Sequence, residues 1–173
     1  HPYLQEWLDI SQPQGEGHTA LVIGCGLGDD AEALAKLGFQ VTAFDVSAKA
    51  IAWCQERFPN SSVKYLVADL LALDSEWHHK FDLVLESRNI QALPVEMRAQ
   101  VVKCIPPLVA SGGKLLVITR IRENDSVPDG PPWGLSEKEL AEFIRLGLQE
   151  VQRDLFLSEA GEERLNKFGL NIV

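Results

Sequence analysis

The sequence predicts an α/β fold: a Rossmann-like doubly wound sheet, mostly parallel, with helices on both faces. Three observations carry that prediction. Apolar runs alternate five times with helix-period segments, without an internal repeat or a linker. The first run, residues 20–23, ends in three glycines at alternate positions, Gly24, Gly26 and Gly28, and a helical pattern follows at once. Strand, tight glycine turn and helix is how an α/β nucleotide site begins. The later runs lead into carboxylates, Asp45, Asp69 and Glu86, on the sheet edge where ligands of such folds gather.

The elements follow in order. Tyr3, Leu4, Trp7 and Leu8 have helical spacing. Residues 1–17 therefore form an N-terminal helix that either packs its aromatic face on the domain or acts as a lid. After the glycine loop a helix over 31–37 ends at Gly38, suited to the left-handed position past a helix. Strand two, 40–44, is closed by Asp45, and Ser47 caps a helix over 48–58 that Pro59 and Asn60 stop. Strand three spans 63–67. The apolar run 81–85 suits a central parallel strand and ends at Glu86. Pro94 opens a helix that runs to about residue 105, where Pro106 and Pro107 end it. Ser111-Gly112-Gly113 turns into strand five, 114–120, and a polar substrate-side loop covers 122–134. Ser136 and Glu139 have capping-box spacing and start a helix to about residue 146. Residues 151–157 alternate as strand six, and Phe168, Leu170 and Ile172 as a short final strand.

Composition fits one domain, residues 1–173, of which 46% are hydrophobic. A formal net charge of −9 argues against a nucleic-acid partner, which selects a basic face. No apolar run approaches the ~20 residues that span a bilayer. Cys25, Cys54 and Cys104 have no paired spacing and sit in apolar or helical segments, pointing to free thiols in a reducing, cytoplasmic setting. His78 and His79 have no third ligand at metal spacing, so no metal is expected.

Two ligands suit the glycine loop, a dinucleotide and S-adenosylmethionine. The dinucleotide fingerprint is G-x-G-x-x-G, with a pyrophosphate at the helix start. Here the glycines read G-x-G-x-G, and Asp29 and Asp30 follow. Two carboxylates there repel a pyrophosphate and suit a ligand with ammonium and sulfonium charges; alternatively they only cap the helix and complement its dipole. Asp45 suits ribose hydroxyls in either ligand, and Asp69 stands where a carboxylate accepts from an adenine amino group.

The segments Val-Ile-Gly-Cys-Gly-Leu-Gly-Asp-Asp-Ala, Val-Thr-Ala-Phe-Asp-Val-Ser, Val-Ala-Asp-Leu-Leu and Gly-Gly-Lys-Leu-Leu-Val-Ile resemble the successive motifs of class I S-adenosylmethionine-dependent methyltransferases. Gly-Pro-Pro-Trp-(x)5-Glu-Leu, from Gly130 to Leu140, further resembles the branch that includes thiopurine and tellurite-resistance methyltransferases. The resemblance covers residues 20 to about 146. It implies that Gly24, Gly26 and Gly28, with Cys25 among them, take the methionine part of the cofactor, and that Asp29 or Asp30 stands near its amino group. It also implies that Asp45 holds the ribose, Val46 flanks the adenine, Asp69 and Leu70 meet the adenine edge, and Glu86 and Ser87 lie beneath the methionine and sulfonium. Relatives of this branch usually carry an aromatic-rich segment ahead of the Pro-Tyr-Leu helix that helps close the site. Residues 158–173 do not resemble their closing strand pair.

Methyl transfer from a sulfonium asks the protein for alignment and exclusion of water, and for a base only when the acceptor carries a proton. Residues 86–94 contain no histidine and no Asp-Pro-Pro-Tyr type motif, favouring a soft or pre-ionised small-molecule acceptor such as a thiol or chalcogen species. Arg88 either pairs with a carboxylate or anchors an anionic acceptor. Asn89 and Gln91 either orient the acceptor or cap backbone groups. Arg120 and Arg122 flank the exit of strand five, as solvated surface or as acceptor contacts. Trp133 either roofs the pocket or fills a satellite core. A non-catalytic cofactor-binding or interaction module is the alternative; a nicotinamide-linked oxidoreductase ranks third, because no hydride-partner His or Tyr follows strand four.

Overall fold

Alternation within the strands decides the architecture: Ala20 and Val22 face one side of the sheet, Leu21 and Ile23 the other, and all four are buried. A strand buried on both faces needs helices on both. The computed structural model describes residues 2–123, 126, 130–158 and 161–170, with side chains to residue 154. Its strands are β1 (Thr19–Ile23), β2 (Gln40–Asp45), β3 (Lys64–Val67), β4 (Phe81–Ser87), β5 (Val109–Arg120), β6 (Leu148–Ser158) and β7 (Gly161–Leu170). They form one sheet in the order β3-β2-β1-β4-β5-β7-β6. The first five are parallel; β7 pairs antiparallel with both β5 and β6.

The helices are α1 (Pro2–Ser11), α2 (Asp29–Lys36), α3 (Ala48–Arg57), α4 (Val95–Cys104) and α5 (Glu137–Arg145). Leu4, Trp7 and Leu8 of α1 join Leu34 of α2 and Ile51 of α3 against Val22, Leu85 and Ile118. Val101 and Val102 of α4 and Leu140 and Phe143 of α5 cover Leu21, Val84 and Val117 on the other face. Each such side chain contributes about 1.5–3 kcal/mol by leaving water. The doubly wound prediction therefore holds.

Two expectations are corrected. β5 begins at Val109 rather than at residue 114, because Phe81 pairs with Val109 and Leu83 already with Lys114. The three extra residues bulge outward, helped by Gly112 at φ 74°. The final strand, expected around residues 168–172, is instead β7 from Gly161 to Leu170: it forms a long hairpin with β6 and covers the edge of β5. An uncovered β5 edge would leave a row of unpaired backbone groups. Ile172, expected in the final strand, lies outside the described residues, as do residues 124, 125 and 127–129 of the polar loop.

The chain winds outward from β1 through β2 to β3, then returns to start the other half at β4. The crevice at this reversal, beyond the carboxyl ends of β1 and β4, is where such folds hold ligands.

Candidate functional site

β1 runs straight into the glycine loop, where Gly24, Gly26 and Gly28 take φ of 57°, 54° and 87°. Left-handed backbone at three alternate positions admits glycine with little strain. The loop is anchored from below by Cys25 N donating to Phe44 O at 2.9 Å and by the Cys54 thiol donating to Gly26 O at 3.2 Å. The three glycines differ in what surrounds them. A Cβ on Gly24 would lie 2.2 Å from Asn89 Oδ1, and one on Gly28 2.7 Å from Tyr65 Oη, whereas one on Gly26 meets nothing within 4 Å. Packing thus demands the outer two, and the middle one borders open space. Burial first, then the neighbouring Cys54 and Asp45, push the Cys25 thiol up to about 12, so it is a core group rather than a nucleophile.

A cavity of about 390 Å³ opens beside the loop, over the carboxyl ends of β1, β2 and β4. Much of its lining is apolar, including Phe44, Ile90, Leu93 and, one helical turn apart on α4, Met97 and Val101. The same lining carries Asp45, Asp69, Glu86 and Asn89. Asp45 accepts from Gly26 N at 3.0 Å through one oxygen and from Ser47 N at 2.9 Å through the other, tying the loop to the start of α3. Asp69 accepts from Leu71 N at 2.9 Å and caps the short turn Leu70–Ala72. Each carboxylate oxygen has a second lone pair to offer a ligand hydroxyl or amine.

Glu86 is the buried member of the trio. Its Oε1 accepts from Asn89 N at 2.6 Å and Ile90 N at 2.9 Å, and its Oε2 has no hydrogen-bond partner among the described residues. Burial pushes the carboxyl up to about 7, against the pull of the Ile90 and Asn89 hydrogen bonds and the Arg98 charge. Asn89 completes the floor by donating from Nδ2 to Ile23 O at 2.7 Å.

A polar lattice holds the segment after β4 against the 130s. Buried Gln91 accepts at Oε1 from Arg120 N at 2.6 Å and Thr119 Oγ1 at 3.2 Å. Trp133 N donates to Gln91 O at 2.8 Å. Buried Arg98 donates to Leu93 O, Trp133 O, Gly134 O and, at 3.0 Å, Glu139 Oε1. Arg122 holds the other Glu139 oxygen at 2.8 Å and Gly134 O at 2.9 Å. Burial raises the Glu139 carboxyl, but hydrogen bonds from Ser136 and Arg98 outweigh it and hold the group below its ordinary range.

Solved structures share the fold. The N-methyltransferase NodS of Bradyrhizobium japonicum, solved with S-adenosylhomocysteine, superposes with a TM-score of 0.78 at 22% identity, covering 98% of this chain and 86% of that one. A TehB-like methyltransferase of Corynebacterium glutamicum gives 0.73 at 20% identity, over 97% and 87% of the two chains. In sequence, a thiopurine S-methyltransferase of Aliivibrio salmonicida is 26% identical over 181 residues, 96% of this chain and 83% of that protein. Residues 20–113, more than half of the chain, match the family described as methyltransferase domain. The chain belongs to the methyltransferase-domain family, as a class I, S-adenosylmethionine-dependent member.

In this methyltransferase Gly24, Asp45, Val46, Asp69, Leu70, Glu86 and Asn89 converge on the one cavity. Cys25, Gly26, Gly28 and Ser87 stand beside it without forming its wall. Asp29 and Asp30 stand apart from these residues. Arg57 of α3 donates to both Asp29 oxygens at 2.8 and 3.1 Å and to Leu27 O, so that charge is spent on the protein, and the Arg57 hydrogen bonds hold the carboxyl low. Asp30 borders a separate groove against Pro2, Leu4 and Gln5 of α1. Neither lines the cavity. Sequence reading had no signal for Arg57, 28 residues away, as a partner.

On the acceptor side, Gln91 and Asn89 satisfy backbone groups, and Arg122 clamps the loop to α5. Trp133 is held by its backbone and lies outside the cavity wall. Arg88, at φ 67°, and Arg120 lie at the carboxyl ends of β4 and β5, both half-buried. Arg98 and the α4 wall escaped notice; spacing of four between Met97, Val101 and Ile105 was the available signal. His79 turns its ring to Val109 O at 3.2 Å. Among the described residues no group of three or more His, Cys, Asp or Glu is placed to hold a metal, and no helix is long and apolar enough to cross a membrane.

Proposed function

We propose that the cavity binds S-adenosylmethionine and that the methyltransferase passes its methyl group to a small, soft acceptor, with thiols and chalcogen species favoured. The observation that carries the reading is the convergence of Asp45, Asp69 and Glu86 on one cavity whose lining is otherwise mostly apolar. That donor set fits the group: acidic acceptors suit ribose hydroxyls, an adenine amine and a cationic sulfonium amino acid, while the Phe44 and α4 wall suits a flat base. A dinucleotide pyrophosphate finds the reverse, carboxylates where it needs cations.

S-adenosylmethionine, when bound, supplies the methyl group on a sulfonium, a good leaving group. The chain's own contribution is positional. Asp45 and Asp69 fix the sugar and base, the open face of Gly26 lets a ligand approach the backbone, and the apolar wall excludes water. Arg88 and Arg120, at the carboxyl ends of β4 and β5, are the residues assigned to an anionic group on the acceptor. The lack of a histidine in residues 86–94 supports an acceptor that needs no strong base, as does the name of the thiopurine S-methyltransferase relatives. The net charge of −9 and the buried thiols of Cys25 and Cys54 fit a small-molecule enzyme of a reducing, cytoplasmic compartment rather than a nucleic-acid modifier.

The test has two stages. Calorimetry with S-adenosylhomocysteine and NAD is expected to show binding of the first alone; uptake of NAD instead removes the reading. A panel of thiols, thiopurines, chalcogen oxyanions, phenols and amines, scored by S-adenosylhomocysteine release, is expected to favour the sulfur and chalcogen acceptors. Faster turnover of a phenol or amine refutes the acceptor class.

A further inference from the structure

We propose that the opposite edge of the sheet carries a second binding site, for a small organic anion with an apolar body, in the groove between the α1–β1 connection and the start of β5. The groove has a volume of about 390 Å³, equal to that of the cavity beside the glycine loop and within the range of small-molecule sites. It lies at the amino ends of β1 and β4, whereas that cavity lies at their carboxyl ends. The five residues of β1, about 15 Å of strand, separate the two. Trp7 of α1, Phe39 and Leu83 of β4 give the groove an apolar floor, all three buried in the core. His18, Ser111 and Lys114 line it with hydrogen-bonding groups.

The bulge that opens β5 shapes one side of the groove, and it brings Lys114 into register with Leu83. Lys114 alternates with Leu116 and Ile118, so it stands on the face that α1 covers, at the end where that cover stops and the residue is exposed. No described residue pairs with its ammonium, which makes a local positive spot on a chain of net charge −9. Asp82 also lines the groove, but its charge is committed. Its Oδ2 accepts from Thr19 N at 2.8 Å and Thr19 Oγ1 at 3.0 Å, and faces His18 Nδ1 at 3.5 Å. Burial raises that carboxyl, but the Thr19 hydrogen bonds and the His18 charge outweigh it and hold the group below its ordinary range. With Nδ1 turned to Asp82, Nε2 is the nitrogen that His18 offers a ligand. Between a carboxylate and a bound anion the ring carries both protons and donates from each nitrogen. Lys114 and His18 thus fit an anionic head, with the Ser111 hydroxyl as a further donor, and the floor fits an apolar body. Both cationic groups are exposed, so a ligand reaches them without rearrangement.

Carboxylate and phosphate heads share this chemistry, and the test compares them. Isotope-labelled protein, in a buffer free of phosphate and carboxylate, is titrated with phenylacetate, phenyl phosphate, phenylacetamide and acetate, and amide shifts are read by NMR. Phenylacetate or phenyl phosphate is expected to saturate at millimolar concentration, moving the amides of His18, Gly112 and Lys114 and leaving Gly26 in place. The head that binds more tightly names the source. Phenylacetamide lacks the charge and acetate the apolar body, so each is expected to bind about tenfold more weakly than phenylacetate. Lys114→Gln changes an exposed side chain and is expected to weaken binding about fivefold, the yield of one exposed charge pair. Three results overturn the proposal: no saturable shift in the groove, phenylacetamide or acetate binding as tightly as the aryl anions, or unchanged affinity in Lys114→Gln. Shifts confined to the glycine loop count as the first of these. None of them bears on the donor reading, which calorimetry with S-adenosylhomocysteine tests separately.

Discussion

Single side chains at the centre of this sheet answer to two demands, packing and ligand. Glu86 costs stability when ionised because its charge is buried. Its folded value, about 7, lies above the ordinary 4.5, so the native state holds the proton more tightly than the unfolded chain. The stabilisation is fully present below pH 4.5 and is lost as pH rises to about 7, a range worth about 3 kcal/mol. Thermal unfolding of wild type and Glu86→Gln between pH 5 and 8 is expected to show the wild type losing this increment and the variant lacking that slope. The glycines give a second comparison. Gly24→Ala and Gly26→Ala each force an alanine into left-handed backbone, costing about 1–2 kcal/mol. Gly24→Ala also displaces Asn89 from Ile23 O, for about 1 kcal/mol more. Urea denaturation is expected to rank Gly24→Ala as the less stable of the two.

At the scale of elements, α5 and the 130s are held by charge pairs rather than by sequence propensity. Ser136 accepts from Glu139 N at 3.3 Å, and Glu139 Oε2 accepts in return from Ser136 N at 2.8 Å, closing the capping box that the spacing predicts. Ser136→Ala is expected to cost about 1 kcal/mol and to raise amide exchange in the first turn of α5. Arg98→Met is expected to cost more, about 3 kcal/mol, because three carbonyls and one Glu139 oxygen lose a buried donor. Chemical denaturation of both variants measures the difference. The capping box is local and stands in the sequence as two residues three apart. The Arg98 lattice joins α4, the loop and α5 across 41 residues, and no local pattern marks it.

For the molecule as a whole, ligand binding and stability are linked by mass action. S-adenosylhomocysteine at a hundredfold excess over its Kd is expected to add about 2.7 kcal/mol, raising Tm by about 5–10 °C for a chain of this size. A thermal scan with and without the ligand, and with NAD as control, reads this directly. The hairpin of β6 and β7 enters the same balance, because it covers the β5 edge that would otherwise be left unpaired.

What the sequence by itself determined is the parallel core and the line of acidic groups along its ligand edge. Apolar run, glycine turn and helix are short-range patterns, and a strand that ends in Asp45 or Glu86 has one place to put it. Only the tertiary structure decided how those groups are spent. Asp29 is drawn to Arg57, Gln91 and Asn89 turn to backbone groups, and Glu86 alone among the cavity carboxylates is fully buried with an oxygen unpaired. The closing hairpin was obscured because weak alternation near a sheet edge carries little periodic signal. Partners tens of residues apart are chosen by packing, and a side chain's charge acquires its meaning from what that packing brings beside it.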